Sequence, residues 1–114
     1  MRYQWGVFYA ELDPAVRSEQ AGRRPVVVVS REVSNQLLPV VTVLPVTSRK
    51  AGRRVYPNEA ALASGVGGLT SESLVLAHQI RTLSKLRLTT AAGHVTAEAD
   101  RLTILSALRF HLDL

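Results

Sequence analysis

Val26-Val27-Val28-Val29 is a four-residue β-branched run opened by Pro25 and closed by Ser30. A run so short and so apolar has the form of a central strand buried on both faces. Pro25 stands at its start, where a missing N–H does least harm. Such a strand must be covered above and below, and 114 residues provide enough chain for one domain, expected over residues 1–114. At 12.4 kDa, surface scaling gives roughly 6,100 Å² folded against about 18,000 Å² unfolded, so about two-thirds of the surface is buried.

The remaining periodic segments indicate what does the covering. Trp5–Leu12 mixes aromatic and β-branched residues, a strand pattern. Asp13-Pro14 breaks it, and a polar stretch runs to Arg24 with Gly22 as a flexible point. A loop or short helix over Arg31–Leu38 leads to the strand-like Val40–Val46, where Pro45 predicts an edge or bulge at the strand's end. Arg54–Pro57 reads as a short strand and Ala60–Gly68 as a small-residue connection. Ser73–Leu83 reads as a strand, and Thr89–Val95 as a weaker one containing Gly93. Thr96 is placed to cap a helix from Ala97 to Leu112. Ala99, Leu102, Leu105, Leu108 and Leu112 form one apolar stripe along it. Glu98 and Asp100 in its first turn and His111 in its last follow the helix dipole. The expected fold is mostly β, largely antiparallel, with a C-terminal helix.

Composition narrows the function classes. With 46% hydrophobic and 20% charged residues the chain is not intrinsically disordered. It has no cysteine, hence no disulfide frame and no thiolate metal site. Its apolar runs are far shorter than the ~20 residues of a membrane span, and Arg2-Tyr3-Gln4-Trp5 is unlike a signal peptide. The cytoplasm is the expected address. The net charge of +5 attracts anionic partners. All but Lys50 and Lys85 of its fourteen cations are arginine, whose planar fork suits phosphate; a GC-rich genome would produce the same bias. Arg49, Lys50, Arg53 and Arg54 form one cluster, and Arg17, Arg23, Arg24 and Arg31 another. Either is a phosphate-facing surface or a solvated loop.

His78, His94 and His111 stand too far apart for metal ligation at helical spacing, so no metal site is expected. Neither a Walker nor a dinucleotide glycine loop is present, and no nucleophile elbow is visible. No cofactor is expected. What remains is nucleic-acid chemistry that needs none.

Three segments then act together. The first is Asp13-Pro14, Ser18-Glu19-Gln20-Ala21-Gly22 and Arg24-Pro25; the second is Leu44-Pro45-Val46-Thr47-Ser48; the third runs from Ser73 to Thr82 and includes Gln79-Ile80-Arg81-Thr82. In this order, over essentially the whole chain, they resemble the MazF/PemK family of toxin endoribonucleases. The resemblance implies a small SH3-like barrel, CcdB/PemK-like, with a terminal helix. It also implies a homodimer and a MazE-like antitoxin whose acidic tail fills the RNA groove. The implied activity is metal-independent cleavage of single-stranded RNA at short specific sequences, leaving 2′,3′-cyclic phosphate and 5′-hydroxyl ends. The family's catalytic arginine falls on Arg24 and its catalytic threonine on Thr47. Ser18, Glu19 and Gln20 match its RNA-contacting loop. Ser48 and His78 are further candidate RNA contacts, His78 an alternative to Glu19 as base, and Arg17, Arg23, Arg49, Lys50, Arg53 and Arg54 are candidate phosphate ligands. The alternative from another class is a non-catalytic toxin like CcdB, which binds DNA gyrase.

The chemistry is consistent with these residues. A guanidinium gives two parallel bonds to phosphate oxygens and neutralises developing charge, but it holds its proton too tightly to be a good proton donor. Thr47 is better suited to orienting the nucleophile or donating to phosphate. Glu19 is the motif-matched carboxylate that could serve as base, or simply a loop carboxylate. Arg24 could instead pair with Asp13. Gln79 and Arg81 brace the fold or touch RNA, and Trp5 and Tyr56 are aromatic faces able to stack bases, with core or dimer interface the alternative for Trp5. Two residues depart from the family. Arg17 replaces a glycine, which is costly if φ is positive there. His78 replaces an acidic residue before Gln79, and an imidazole donates where a carboxylate only accepts.

Overall fold

The computed structural model describes every residue except Ala15 and Ser18. Its strands are β1 (Gly6–Glu11), β2 (Arg23–Val28), β3 (Val40–Ser48), β4 (Glu59–Leu62), β5 (Ser73–Leu76), β6 (Arg81–Ser84) and β7 (Leu88–His94). They form one sheet in the order β4-β5-β3-β2-β1-β7, with β6 added on β3. Every pairing is antiparallel. Helix α1 (Glu32–Leu37) joins β2 to β3, and α2 (Glu98–Leu112) closes the chain. The architecture is therefore mostly β with a terminal helix, as the residue pattern predicts.

The valine run is buried on both faces. Val26 and Val28 enter one core with Phe8, Leu12, Val41 and Val43, while Val27 enters the other with Val7, Leu44, Leu62 and Ile104. Each of the three is fully buried, worth about 1.5 kcal/mol or more from burial alone. Strand β2 starts two residues before Pro25, so Arg23 and Arg24 belong to the ladder, opposite Glu11 and Ala10 of β1.

Four sequence expectations need correction. Pro45 lies inside a central strand, buried and opposite Val26. On its other side β3 pairs with β6 up to Val43 and with β5 from Val46. The residue without an N–H thus stands in the gap between two neighbours, where no ladder bond is lost. Ser73–Leu83 is two strands, β5 and β6, separated by a 3₁₀ turn at Ala77–Gln79. Arg54–Pro57 is loop, and the strand comes later as β4. The Glu59 carboxylate takes the Tyr56 N–H and the Arg53 guanidinium, which curls this segment instead of extending it.

The fourth correction concerns α2. Ala97, not Thr96, occupies the cap position, with no side-chain cap bond. The helix buries Ile104 and Ala107, with Leu105 and Leu108 partly covered, while Ala99, Leu102 and Leu112 are exposed. Spacings of three lag the 3.6-residue period, so that stripe drifts around the helix; the i, i+3, i+4 set 104/107/108 stays on one side. Trp5 lies under this helix as core, and the Arg101 guanidinium stacks 5.4 Å above its ring.

Two local devices set the frame of the site. Glu32 at the start of α1 holds the N-terminal segment. Desolvation pushes its carboxyl pKa up, but hydrogen bonds from the Gln4 N–H, Gln36, the Tyr3 N–H and Asn35 outweigh that and hold it at about 2. Gly68, at φ +77°, lies against β7, where a Cβ would collide with the Ala92 carbonyl. Only glycine fits so close an approach, and it fixes the path of Leu69–Ser71.

Candidate active site

Arg24 and Thr47 line the same cavity, of about 210 Å³. Strands β2 and β3 bring them together: the ladder pairs Val26 with Pro45, and continuing that register brings Arg24 across from Thr47. Their chain positions alone could not show this. Arg24 is exposed, and its Nε donates to the Ala21 carbonyl at 3.1 Å. That bond uses the side of the fork and leaves both terminal nitrogens for a ligand. Asp13 is not its partner: the Asp13 carboxylate accepts from the Gly22 N–H at 3.0 Å. Thr47 is half-buried on β3 beside Leu74 of β5. Opposite it the wall is Leu69, Thr70 and Ser71, tied by a 3.2 Å bond between the Ser48 and Ser71 hydroxyls. Tyr9, Pro25, Val46 and Ser73 complete the lining. Tyr9, Leu69, Thr70 and Ser71 lie outside the three motif segments, and only the fold collects them. The cavity is rich in hydroxyls and holds one guanidinium, with no carboxylate or imidazole among its lining residues.

A second cavity, about 510 Å³, is lined by Glu19, Gln20, His78, Gln79, Arg81 and Thr82, with Leu12, Pro45 and Ile80 behind them. It meets the first on consecutive residues of β3, since Pro45 lines one and Val46 and Thr47 the other. The Gln20 N–H donates to the Gln79 side-chain oxygen at 2.9 Å, tying the β1–β2 loop to the 3₁₀ turn. Glu19 folds back on its own loop, accepting from the Val16 N–H. Arg81 donates to the Leu12 carbonyl at 3.3 Å. The His78 ring is exposed and lies edge-on to His111, 6.5 Å between centroids. Ser18 falls outside the described residues. Arg17 has φ +53°, the left-handed conformation that glycine adopts without strain.

The cations of residues 49–54 divide into two kinds. Arg49 pairs with Glu72 at 3.0 Å, and its Nε donates to the Arg53 carbonyl. Arg53 makes a two-pronged bridge to Glu59, at 3.1 and 2.8 Å, and its guanidinium also donates to the Arg54 carbonyl. Burial pushes the Glu59 carboxyl up, but hydrogen bonds from Arg53 and the Tyr56 N–H and the charges of Arg53 and His78 pull it below its ordinary value. Lys50 and Arg54 are exposed and bridge to no carboxylate among the described residues. Arg23 stacks 4.5 Å above the Tyr9 ring and donates to Thr90. Among the described residues no three histidine or acidic side chains come together as a metal-ligand group.

Residues 3–112 match the family model described as PemK-like, MazF-like toxin of type II toxin-antitoxin system. The chain belongs to that family. It is 38% identical over 113 residues to endoribonuclease MazF9 of Mycobacterium tuberculosis, covering 95% of this chain and 93% of that protein. It is 34% identical over 92 residues to endoribonuclease EndoA of Bacillus subtilis, covering 81% and 78%. A mycobacterial endoribonuclease solved in complex with its cognate antitoxin superposes with TM-score 0.81 at 27% identity, over 100% of this chain and 97% of that one. MazF from Deinococcus radiodurans superposes with TM-score 0.79 at 27% identity, over 97% and 96%. These similarities support the PemK/MazF assignment over the CcdB-like alternative and establish the CcdB/PemK-like fold. Among the described residues no helix is long and apolar enough to cross a membrane.

Proposed function

We propose that this MazF-like toxin is an endoribonuclease that cleaves single-stranded RNA without a metal ion. The observation that carries this reading is the shared cavity of Arg24 and Thr47. In the reaction a ribose 2′-oxygen forms a bond to the adjacent phosphorus and the bond from phosphorus to the 5′-oxygen breaks. The products are a 2′,3′-cyclic phosphate and a 5′-hydroxyl. The terminal nitrogens of Arg24 neutralise the charge that grows on the non-bridging oxygens. The Thr47 hydroxyl donates to the same phosphate or aligns the 2′-hydroxyl. With no carboxylate or imidazole lining this cavity, water takes the 2′ proton and returns one to the leaving oxygen, and the rate comes from positioning and charge stabilisation.

Glu19, Gln20, His78 and Gln79 form the wall that reads flanking bases, because they present donors and acceptors in one cleft. The functional unit spans residues 1–114, acts in the cytoplasm, and works as a homodimer. A MazE-like antitoxin with an acidic tail opposes it by occupying the same cationic groove, drawn in by the net charge of +5. Incubating purified protein with a single-stranded transcript in EDTA tests the proposal. Cyclic-phosphate ends should accumulate, and Arg24→Ala should fold yet cut about 10²–10³-fold more slowly. Cleavage that needs a divalent ion, or that proceeds undiminished in Arg24→Ala, sinks it.

A further inference from the structure

We infer that the β3–β4 loop carries a second RNA-binding element, a base-stacking platform made by Tyr56 and Arg54 with Lys50 as an added phosphate contact. The inference rests on the RNA-cleaving reading and extends it beyond the Arg24/Thr47 cavity. Its ground is the unequal use of four neighbouring cations. Arg49 and Arg53 are structural: their guanidinium groups engage Glu72 and Glu59, and the Glu59 side chain is only 4% exposed. Two backbone bonds, from the Arg49 N–H to Glu72 and from the Arg53 N–H to Lys50, hold the loop further. The loop is therefore rigid enough to present what it does not use internally.

What it presents is Tyr56, 48% exposed, with Arg54 stacked 5.2 Å and Arg53 5.4 Å from its ring centre. A half-exposed ring flanked by Arg54, which bridges to no carboxylate among the described residues, suits a base and its phosphate together. An acidic peptide would use the cations and waste the ring. The loop also begins at the right place. Ser48 lines the Arg24/Thr47 cavity, Arg49 follows it, and Glu72 lies between the cavity residues Ser71 and Ser73. RNA leaving the scissile phosphate on this side would run onto the platform.

The test separates this element from the cleavage reaction. Binding of a short fluorescent oligouridylate is measured over a salt series for the unmodified protein, Tyr56→Ala, Tyr56→Phe and Arg54→Gln, alongside transcript cleavage in EDTA. Tyr56→Ala should weaken binding about tenfold, the scale of one stacked base, and Tyr56→Phe should restore it. Arg54→Gln should lower the slope of log affinity against log salt by about 0.7, one phosphate of a single strand. Cleavage by these variants should show raised KM and unchanged kcat. If the unmodified protein cuts the transcript but the variants bind oligouridylate as it does, with the same slope, the platform is overturned while the nuclease reading stands. Weakened binding of polyglutamate with RNA binding untouched also overturns it, assigning the loop to an acidic protein segment. Absence of any cleavage by the unmodified protein refutes the nuclease reading itself.

Discussion

The cavity of Arg24 and Thr47 and the cavity of Glu19 and His78 meet on consecutive residues of β3, yet their linings differ in kind. The smaller has one guanidinium and several hydroxyls, all capable of donating to an anion. The larger mixes a carboxylate, an imidazole, two amides and a guanidinium, so it can both donate and accept. Phosphates are alike in every nucleotide, whereas base edges differ. A donor-rich pocket therefore suits the invariant reacting group, and a mixed one suits discrimination. The contrast suggests that this toxin could change its preferred sequence without disturbing its chemistry, because the residues concerned sit in different walls.

Four substitutions probe that division, from the largest expected effect downward. Arg24→Ala should lower the cleavage rate by about 10²–10³-fold, the usual loss on deleting one charge-stabilising donor. Its thermal midpoint should barely move, since Arg24 is exposed. Thr47→Val keeps the shape and removes the hydroxyl; a drop of about tenfold or more in single-turnover rate is expected for a hydrogen bond to a charged group. His78→Glu should redistribute cleavage among sequences, changing the ratio between preferred sites by up to about tenfold. Sequencing the 5′ ends of a digested transcript would reveal it, and an unchanged site profile would remove His78 from recognition. Glu19→Gln should change the maximal rate by less than about threefold, because Glu19 lines the other cavity and bonds to its own loop. A collapse comparable to that of Arg24→Ala would break the comparison and make Glu19 the base.

Legibility in the sequence followed the range of the interactions involved. The valine strand and the terminal helix could be read from local pattern, while Arg31–Leu38 is open between loop and short helix until the structure shows the helix. Boundaries failed where a distant contact intervened. Pro45 looks like a strand end until β5 and β6 are seen to leave a gap beside it. Ser73–Leu83 looks continuous until the turn at Ala77–Gln79 hands the chain from one partner stretch of β3 to another. The Arg49–Arg54 cluster looks uniform until Glu72 and Glu59 claim two of its members. The cost anticipated for Arg17 depended on its φ, and that angle is indeed positive.

By itself, then, the sequence determined the class of fold and the family, because strand burial, helix period and the order of short motifs are properties of neighbouring residues. Which arginines remain available to a ligand, which hydroxyls share a cavity with Arg24, and why Glu19 lines a different cavity from Thr47 were decided only by the tertiary structure. These depend on the register of strands far apart in the chain, and register is set by the whole core packing at once.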